Sequence, residues 1–340
     1  MTRRHITLAL SAMFTLLLIL GCSSEQNANN DQADSDTHKK QYLAFGGGPT
    51  GGTFNFFANK MASLISEKNT WLEVSPKGSG GSAENLRSLN KNGVDLGIVY
   101  SGDAFLGRVG KLPDDPTRYT DVSMLSFLYG APAQLVVRKD SGISSPNDLK
   151  GKTVAIGNPG SGAALSAERF FRHLGLWDSI TPQYLGYSQA AADFSIRKID
   201  AFWVLVGYPN SAVVEAATNS SIKLLDLHAA AAQSGFYDTY PFYSPVKIPA
   251  DTYTGQTDAV TTFQDSSLWC ASTKLDSAIV YQCLKAVYSD AGLEALVAAH
   301  KAASSMSVDN GLYGASIPLH PGAVKFWKEK GLEIPPKLLP

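Results

Sequence analysis

Two glycine-rich loops in the first third of the chain place small residues and hydroxyl groups where a helix is expected to begin. The first glycine loop, residues 46–52, follows a short apolar segment and precedes residues with helical periodicity. The second glycine loop, residues 78–85, is placed in the same way. The start of a helix leaves several backbone N–H groups unpaired, and the helix dipole adds positive charge there. Both loops are therefore typical of anion binding.

Two nucleotide-binding motifs fit the first glycine loop incompletely. Gly46, Gly48 and Gly51 satisfy G-x-G-x-x-G, and Glu73 lies where a dinucleotide-binding fold has its acidic residue. The P-loop motif G-x-x-x-x-G-K-[ST] fails because Gly52 stands in place of the lysine that contacts the β- and γ-phosphates. A dinucleotide-binding exported oxidoreductase and a purely structural turn remain alternatives for this loop.

Composition and charge exclude some classes of protein. The chain has 340 residues, a net charge of −1 and 44% hydrophobic residues, which is ordinary for a globular protein. A balanced charge gives no electrostatic reason to expect a nucleic-acid partner. No apolar run reaches the length of a membrane span.

The N-terminus has the pattern of a secretory signal. Arg3 and Arg4 precede an apolar run over residues 6–20, as in the n-region and h-region of a signal peptide. We predict a signal peptide over residues 1–21, and therefore export from the cytoplasm.

The end of this segment resembles a bacterial lipobox. Gly21 is followed by Cys22, and Leu20 is larger than the residue usual at its position. We expect Cys22 to be lipidated and to begin a disordered polar tether over residues 22–40. A plain signal peptide with an incidental cysteine is the alternative.

Two cysteines remain in the exported chain. Export permits disulfide formation, so Cys270 and Cys283 are a candidate disulfide. Two separate buried thiols are equally compatible with the sequence, because spacing along the chain does not fix the distance between the two Cα atoms.

Strands and helices alternate along most of the chain. After the first unit, a second unit is predicted from strands at residues 152–156, 184–187 and 200–206. A third glycine loop, residues 158–162, lies between the first of these strands and a helix. Such alternation predicts an α/β protein with parallel strands.

Two lobes follow from where strands cross between these units. Crossings at residues 133–138 and 260–271 would build the first lobe from residues 41–131 and 259–340 and the second from residues 132–258. Two lobes place a ligand site in the cleft between them. A single large sheet with glycine loops as ordinary connections is the alternative.

The mature chain resembles a known family in segments that occur in consistent order. These segments are GGGPTGGTFN, KGSGGSAENLRSL, GVDLGIVYS, LKGKTVAIGNPGSGAALSAERFF, KIDAFWVLVGYPNSAV, IPADTYTGQ and IPLHPGAVKFWKEKG. They resemble the TAXI-type solute-binding proteins of tripartite ATP-independent periplasmic (TRAP) transporters. The resemblance implies a type II periplasmic-binding fold with two α/β lobes, a two-crossing hinge and a central ligand cleft. It also implies capture of a small carboxylate, glutamate-like or a 2-oxo acid, for an ion-driven membrane permease.

The chain departs from the family pattern near the expected ligand. Asn55 stands where a second aromatic residue usually follows the Gly-Gly-Thr sequence, and Ala163 or Ala164 stands where a threonine is usual. We therefore expect the ligand to differ from the better-known ones.

Candidate ligand-binding residues are those that can offer N–H or O–H groups to a carboxylate, because charge-assisted hydrogen bonds are strong. For each hydroxyl the alternative is a helix cap that touches no ligand. Ser82 and Ser161 are the leading candidates, since each follows glycines that expose backbone. The full predicted set is Gly48, Thr50, Gly52, Thr53, Asn55, Ser82, Asn85, Ser101, Ser161, Gly162 and Gly207.

No catalytic or metal-binding constellation stands out. Neither a Ser-His-Asp nor a Cys-His grouping is evident, and His320 has no second histidine at metal-ligand spacing. We predict a periplasmic, lipid-anchored protein that is not an enzyme and has no cofactor or metal. A sensor or antigen lipoprotein with the same fold and no transporter is a further alternative.

Overall fold

The computed structural model describes residues 39–50 and 52–340. Over these residues the chain forms ten strands and eleven α-helices. The strands are β1 (Gln41–Gly46), β2 (Leu72–Lys77), β3 (Leu96–Tyr100), β4 (Val122–Arg138), β5 (Thr153–Ala155), β6 (Thr181–Gln183), β7 (Ala201–Leu205), β8 (Ile222–Leu224), β9 (Ser244–Ile248) and β10 (Val260–Ser272). The helices are α1 (Thr53–Lys68), α2 (Ser82–Asn90), α3 (Ser101–Arg108), α4 (Gly162–His173), α5 (Tyr187–Ser195), α6 (Ser211–Asn219), α7 (His228–Gln233), α8 (Phe236–Thr239), α9 (Ser277–Val287), α10 (Asp290–Ala299) and α11 (Pro321–Glu329).

Two groups of parallel strands are joined by two long antiparallel strands. The order is β2-β1-β3-β10-β4-β7-β5-β6, with β8 beside β4 and β9 beside β10. Strand β1 is parallel to β2 and β3, and β5 is parallel to β6 and β7. Strands β4 and β10 lie between the two groups and pair with each other. The predicted α/β class and two-lobed architecture are therefore confirmed.

Strand β4 forms hydrogen-bonded pairs on both sides of the connection, with β10 along one part of its length and with β7 and β8 along the other. Residues 122–132 pair with β10, and residues 133–138 pair with β7 and β8. Sixteen of its 17 residues are buried, because helices cover both faces of the sheet. Residues 131 and 132, where we predict the lobes to divide, lie next to this change of partner; the lobe limits themselves stay predictions.

The second unit differs from its predicted form at one place. The sequence predicts a strand at residues 184–187, but β6 ends at Gln183 and Tyr187 already begins α5. Leu185 and Gly186 are half-buried in the connection between β6 and α5 rather than hydrogen-bonded in the sheet. The apolar run reflects this partial burial, which a strand and a packed loop share.

The predicted disulfide is wrong. Cys270 and Cys283 are both free and buried. Cys270 lies on the central strand β10, opposite Gly97 of β3 and Met124 of β4, whereas Cys283 belongs to α9. Burial raises the pKa of the Cys283 thiol to about 12 and that of Cys270 further still, so both pack as small uncharged groups.

The predictions for the N-terminus lie outside the described residues. This holds for the signal peptide over residues 1–21, for Cys22 and for the tether up to residue 38. Lys40, at the predicted end of the tether, pairs with Glu73 at 2.7 Å. Among the described helices, none combines the length and the apolar character that crossing a membrane requires.

Candidate anion-binding site

A cavity of about 260 Å³ lies where the three glycine loops meet. Both predicted lobes contribute to its wall. The lining residues are Pro49, Thr50, Gly52, Thr53, Phe54, Gly80, Gly81, Ser82, Tyr100, Asn158, Ser161, Gly162, Ala163, Gly186, Tyr187, Ser188, Gln189, Val206 and Ser211.

Six helices begin at this cavity. The first residue or the N-cap of α1, α2, α3, α4, α5 and α6 belongs to the lining. First-turn N–H groups have no partner inside their own helix. Each helix start also carries a partial positive charge from the helix dipole. Some of these N–H groups are already paired, such as that of Ala164 with Ser161 and that of Gly102 with Asp265. The remaining ones are neutral donors in a positive electrostatic potential, which suits an anion.

The lining carries no formally charged side chain among the described residues. Its ionisable groups are the phenols of Tyr100 and Tyr187. Burial raises the pKa of both well above the ordinary value, so both are neutral. Each phenol donates a hydrogen bond to the carbonyl oxygen of Leu205, and the ring of Phe54 lies 4.8 Å from that of Tyr100. These aromatic side chains form apolar walls.

Ser161 is the N-cap of α4 and also reaches the cavity. Its Oγ accepts a hydrogen bond from the N–H of Ala164 at 3.1 Å. Accepting this bond leaves the hydroxyl proton available as a donor. The side chain is buried against the cavity. A helix cap and a donor to a ligand are therefore compatible roles for this residue.

Ser82 lines the cavity, but its hydroxyl group is already used. Its Oγ donates to Oδ2 of Asp103 at 2.6 Å and accepts from the N–H of Tyr100 at 2.8 Å. The N-cap of α2 is Gly81, with a φ of 118°, and Ser82 is the first residue of the helix. What Ser82 offers to the cavity is its backbone N–H in the first turn of α2.

A buried ion pair lies directly behind this wall. Nη2 of Arg169 contacts Oδ1 of Asp103, and Nη1 of Arg169 donates to the hydroxyl of Tyr243 at 3.0 Å. The side chains of Arg169 and Asp103 are 4% and 0% exposed. Together with Ser82, this pair connects the start of α2 and the first turn of α3 with α4.

Gly162 allows α4 to approach the other helices closely. A Cβ atom at this position would lie 2.4 Å from a ring carbon of Tyr100 and 2.7 Å from Oδ2 of Asp103. Since side chains do not reach such distances, only glycine fits where α4 meets α2 and α3.

The structure brings together some of the predicted site residues and separates others. Those that line the cavity are Thr50, Gly52, Thr53, Ser82, Ser161 and Gly162. Those that do not line it are Gly48, Asn55, Asn85, Ser101 and Gly207.

Two of the residues that miss the cavity have structural hydrogen bonds instead. Nδ2 of Asn85 donates to the carbonyl oxygens of Gly46, Gly47 and Ile98, which ties the first glycine loop to β3. Oγ of Ser101 donates to the carbonyl oxygen of residue 314 at 2.7 Å and borders a separate cavity.

The other three lie beside the cavity rather than in its wall. Gly48 packs against Phe54, and Gly207 packs against residues 129 and 302. Asn55 is half-buried on α1, and its carbonyl accepts from the side chain of Asn59 at 2.7 Å.

Sequence reasoning missed the contribution of α5. Gly186, Ser188 and Gln189 line the cavity because α5 begins there, and the predicted strand at residues 184–187 concealed this helix start. The glycine before the helix was the available signal. The ion pair of Asp103 with Arg169 had no local signal, because the two residues lie far apart in the sequence.

Neither metal nor dinucleotide binding gains support in the described residues. They contain no group of three or more His, Cys, Asp or Glu side chains placed to hold a metal ion. His320 is the N-cap of α11, where its Nδ1 accepts from the N–H of Gly322 at 3.2 Å. Glu73, the acidic residue of the dinucleotide motif, is paired with Lys40 at the protein surface.

Two solved structures share the fold of this chain. The chain has the two-lobed type II periplasmic-binding fold. It is similar to MatC from Rhodopseudomonas palustris, a structure with bound malate, at 13% identity, with 77% of this chain and 88% of that chain covered and a TM-score of 0.50. It is similar in the same way to a protein from Bordetella bronchiseptica RB50, at 15% identity, with 85% and 82% covered and a TM-score of 0.50.

The family of the chain is established by its sequence. The model of the NMT1-like family matches residues 45–331, and the chain belongs to this family.

Proposed function

We propose that this protein is an extracytoplasmic solute-binding protein that captures a small carboxylate, glutamate-like or a 2-oxo acid, for a TRAP-type ion-driven transporter. It releases the ligand unchanged and is not an enzyme. The observation that carries the proposal is the cavity at which six helices begin and whose described lining has no charged side chain.

Neutral donors are sufficient to hold a carboxylate in such a cavity. Hydrogen bonds from N–H and O–H groups to an ionised acceptor are among the strong ones in proteins. The first-turn N–H groups of α1, α2, α4 and α5, with the hydroxyls of Thr53 and Ser161, are the donors we assign. MatC, which shares the fold, holds malate, a small carboxylate, and this supports the proposed ligand class.

Binding would favour closure of the two lobes. The first and second glycine loops lie in the predicted first lobe, residues 41–131 and 259–340, and the third lies in the predicted second lobe, residues 132–258. A ligand that contacts both sets of donors binds best when the lobes are closed, and therefore shifts the population toward the closed state.

The transporter and the location rest on the resemblance and on the N-terminal pattern. The resemblance to TAXI-type proteins supports a TRAP permease as the partner. The predicted signal peptide and Cys22 support a periplasmic protein held at a membrane by a lipid anchor. The balanced net charge supports no nucleic-acid partner.

The proposal is tested with the purified mature protein, by mass spectrometry before dialysis and by calorimetry after it. Native mass spectrometry should detect a small acid that co-purifies, and calorimetric titration with malate, succinate, 2-oxoglutarate and glutamate should show saturable binding of at least one. Uptake into proteoliposomes that hold the permease encoded beside this protein should require both the protein and an ion gradient. Absence of binding by every one of these carboxylates would contradict the proposed function.

A further inference from the structure

We infer that the ligand of this cavity carries no cationic group, so that the protein binds 2-oxo acids and related simple carboxylates and rejects the matching α-amino acids. This inference rests on the proposed function of carboxylate capture, and it selects between the two ligand classes that the proposal leaves open.

The first observation is that the lining supplies no partner for an ammonium group. None of the described lining residues is Asp or Glu. Gly51, the one residue of the first glycine loop that the structure does not describe, has no side chain to contribute. The acceptors that the side chains provide are neutral, such as the amide oxygens of Asn158 and Gln189. Neutral acceptors do not compensate the charge of a buried ammonium group.

The second observation is that Asp103 and Glu84, which lie next to lining residues, are already hydrogen-bonded within the protein. Oδ1 of Asp103 contacts Arg169, and its Oδ2 accepts from Ser82. Oε2 of Glu84 accepts from the N–H of Gly80 at 2.7 Å. Each carboxylate is thus held by donors of the protein, and neither belongs to the cavity lining.

The third observation concerns the sign of the electrostatic potential. Six helix starts border a cavity of about 260 Å³, so the positive ends of several helix dipoles lie beside a bound molecule. That potential stabilises a carboxylate and opposes an ammonium group in the same molecule. Contact of an ammonium group with an aromatic face is a weaker compensation. The rings of Phe54 and Tyr100 also pack against each other, which covers part of their faces.

The test compares acids that differ only in the group on the α-carbon. The dialysed protein is titrated calorimetrically with three pairs: 2-oxoglutarate and L-glutamate, pyruvate and L-alanine, and 2-oxoisovalerate and L-valine. An unpaired buried charge predicts that the 2-oxo acid binds about ten- to a hundred-fold more tightly than its amino acid in each pair that binds.

The outcomes separate this inference from the proposed function. An amino acid that binds as tightly as its 2-oxo partner, or more tightly, would overturn the inference and leave carboxylate capture intact. Failure of all six acids to bind, together with malate and succinate, would overturn carboxylate capture, and the inference with it.

A gain-of-function variant tests the electrostatic cause. Ser188 lines the cavity in the first turn of α5, so Ser188→Asp adds an acidic partner at a position where the helix dipole tolerates it. This variant should lower the ratio of 2-oxoacid to amino-acid affinity about tenfold or more. Ser277→Asp adds the same charge in the first turn of α9, away from the cavity, and should leave the ratio unchanged. An unchanged ratio in Ser188→Asp would contradict the electrostatic explanation.

Discussion

At the scale of single residues, the cavity distinguishes hydroxyl groups that look alike in the sequence. Ser82 and Ser161 both follow glycines at a helix start. The hydroxyl of Ser82 is held by Asp103 and by the N–H of Tyr100, whereas that of Ser161 has accepted one bond and keeps its proton. Ser161 is therefore the serine from which we expect a direct hydrogen bond to the ligand.

Ser161→Ala should weaken carboxylate binding by about ten- to a hundred-fold, because one charge-assisted hydrogen bond is lost. The same change should lower the ligand-free stability by about 1 kcal/mol, because the cap of α4 is also lost. Calorimetry and thermal melts of the ligand-free protein measure the two effects separately.

Ser289→Ala provides the matched control for this prediction. Ser289 caps α10 through the N–H of Gly292 at 3.1 Å and does not line the cavity. It should lower the melting temperature to a similar extent and leave affinity unchanged. Equal affinity of Ser161→Ala and the wild type would show that Ser161 is a cap only.

The raised pKa of Asp265 should make the stability of the folded protein depend on pH. It is fully buried, its Oδ2 has no partner among the described residues, and its Oδ1 accepts from the N–H groups of Gly102 and Ser266. Burial raises its pKa to about 8, and the charge of Asp103 adds to this effect, although Arg169 opposes it. The folded state therefore keeps a proton that the unfolded state loses above about pH 4.

The contribution of Asp265 to stability is complete below about pH 4 and is lost as the pH rises to about 8. Asp265→Asn should remove this loss, so its melting temperature should exceed that of the wild type at pH 8 by several degrees and match it near pH 4. Melting curves across this range measure the difference. The same difference at both pH values would show that Asp265 is ionised in the folded protein.

At the scale of elements, the pair of Asp103 with Arg169 fixes α4 against the starts of α2 and α3. A buried ion pair adds little to stability compared with apolar side chains, but loss of one partner leaves an uncompensated charge. Close contact at Gly162 and the bond from Ser82 to Asp103 make the position of α4 depend on this pair.

Arg169→Met should lower the free energy of unfolding by about 3–5 kcal/mol, because it leaves Asp103 buried and unpaired. It should also weaken carboxylate binding, since the free charge of Asp103 lies directly behind the cavity wall. Denaturant unfolding and calorimetry measure the two quantities.

Arg172→Met is the control on the same helix. Arg172 pairs with Glu168 at 2.7 Å and its side chain is 54% exposed, so the change should cost less than about 1 kcal/mol. Equal destabilisation by the two substitutions would contradict a special role for the buried pair.

At the scale of the whole molecule, β4 and β10 carry the connection between the two groups of parallel strands. Their antiparallel pairing extends over residues 122–132 of β4, and the cavity is lined by residues from both sides of this connection. This arrangement allows a ligand to link the two sides directly.

The predicted lipid on Cys22 would hold the whole exported protein at a membrane. Cys22→Ser should move the protein from the detergent phase to the aqueous phase in Triton X-114 partition, because the acylated cysteine is absent. Expression of the wild type in the same host is the comparison. An unchanged partition would show that Cys22 does not carry a lipid.

Much of the fold could be predicted because its signals are local. The glycine loops, the helical periodicity after them and the apolar strands β3, β7 and β10 each depend on residues close together in the sequence. The one predicted strand that was wrong, at residues 184–187, shows where local patterns fail, since a packed loop buries apolar residues as a strand does.

The sequence by itself determined the α/β architecture and a set of helix starts that suit an anion, because helix starts and glycine conformations depend on neighbouring residues. Only the tertiary structure decided which donors reach the cavity. The side-chain amide of Asn85 donates to three backbone carbonyls, and the hydroxyl of Ser82 donates to Asp103. Cys270 and Cys283 occupy separate buried positions as free thiols. Each of these outcomes depends on partners distant along the chain, and a hydrogen bond that is made inside the protein is no longer available to a ligand.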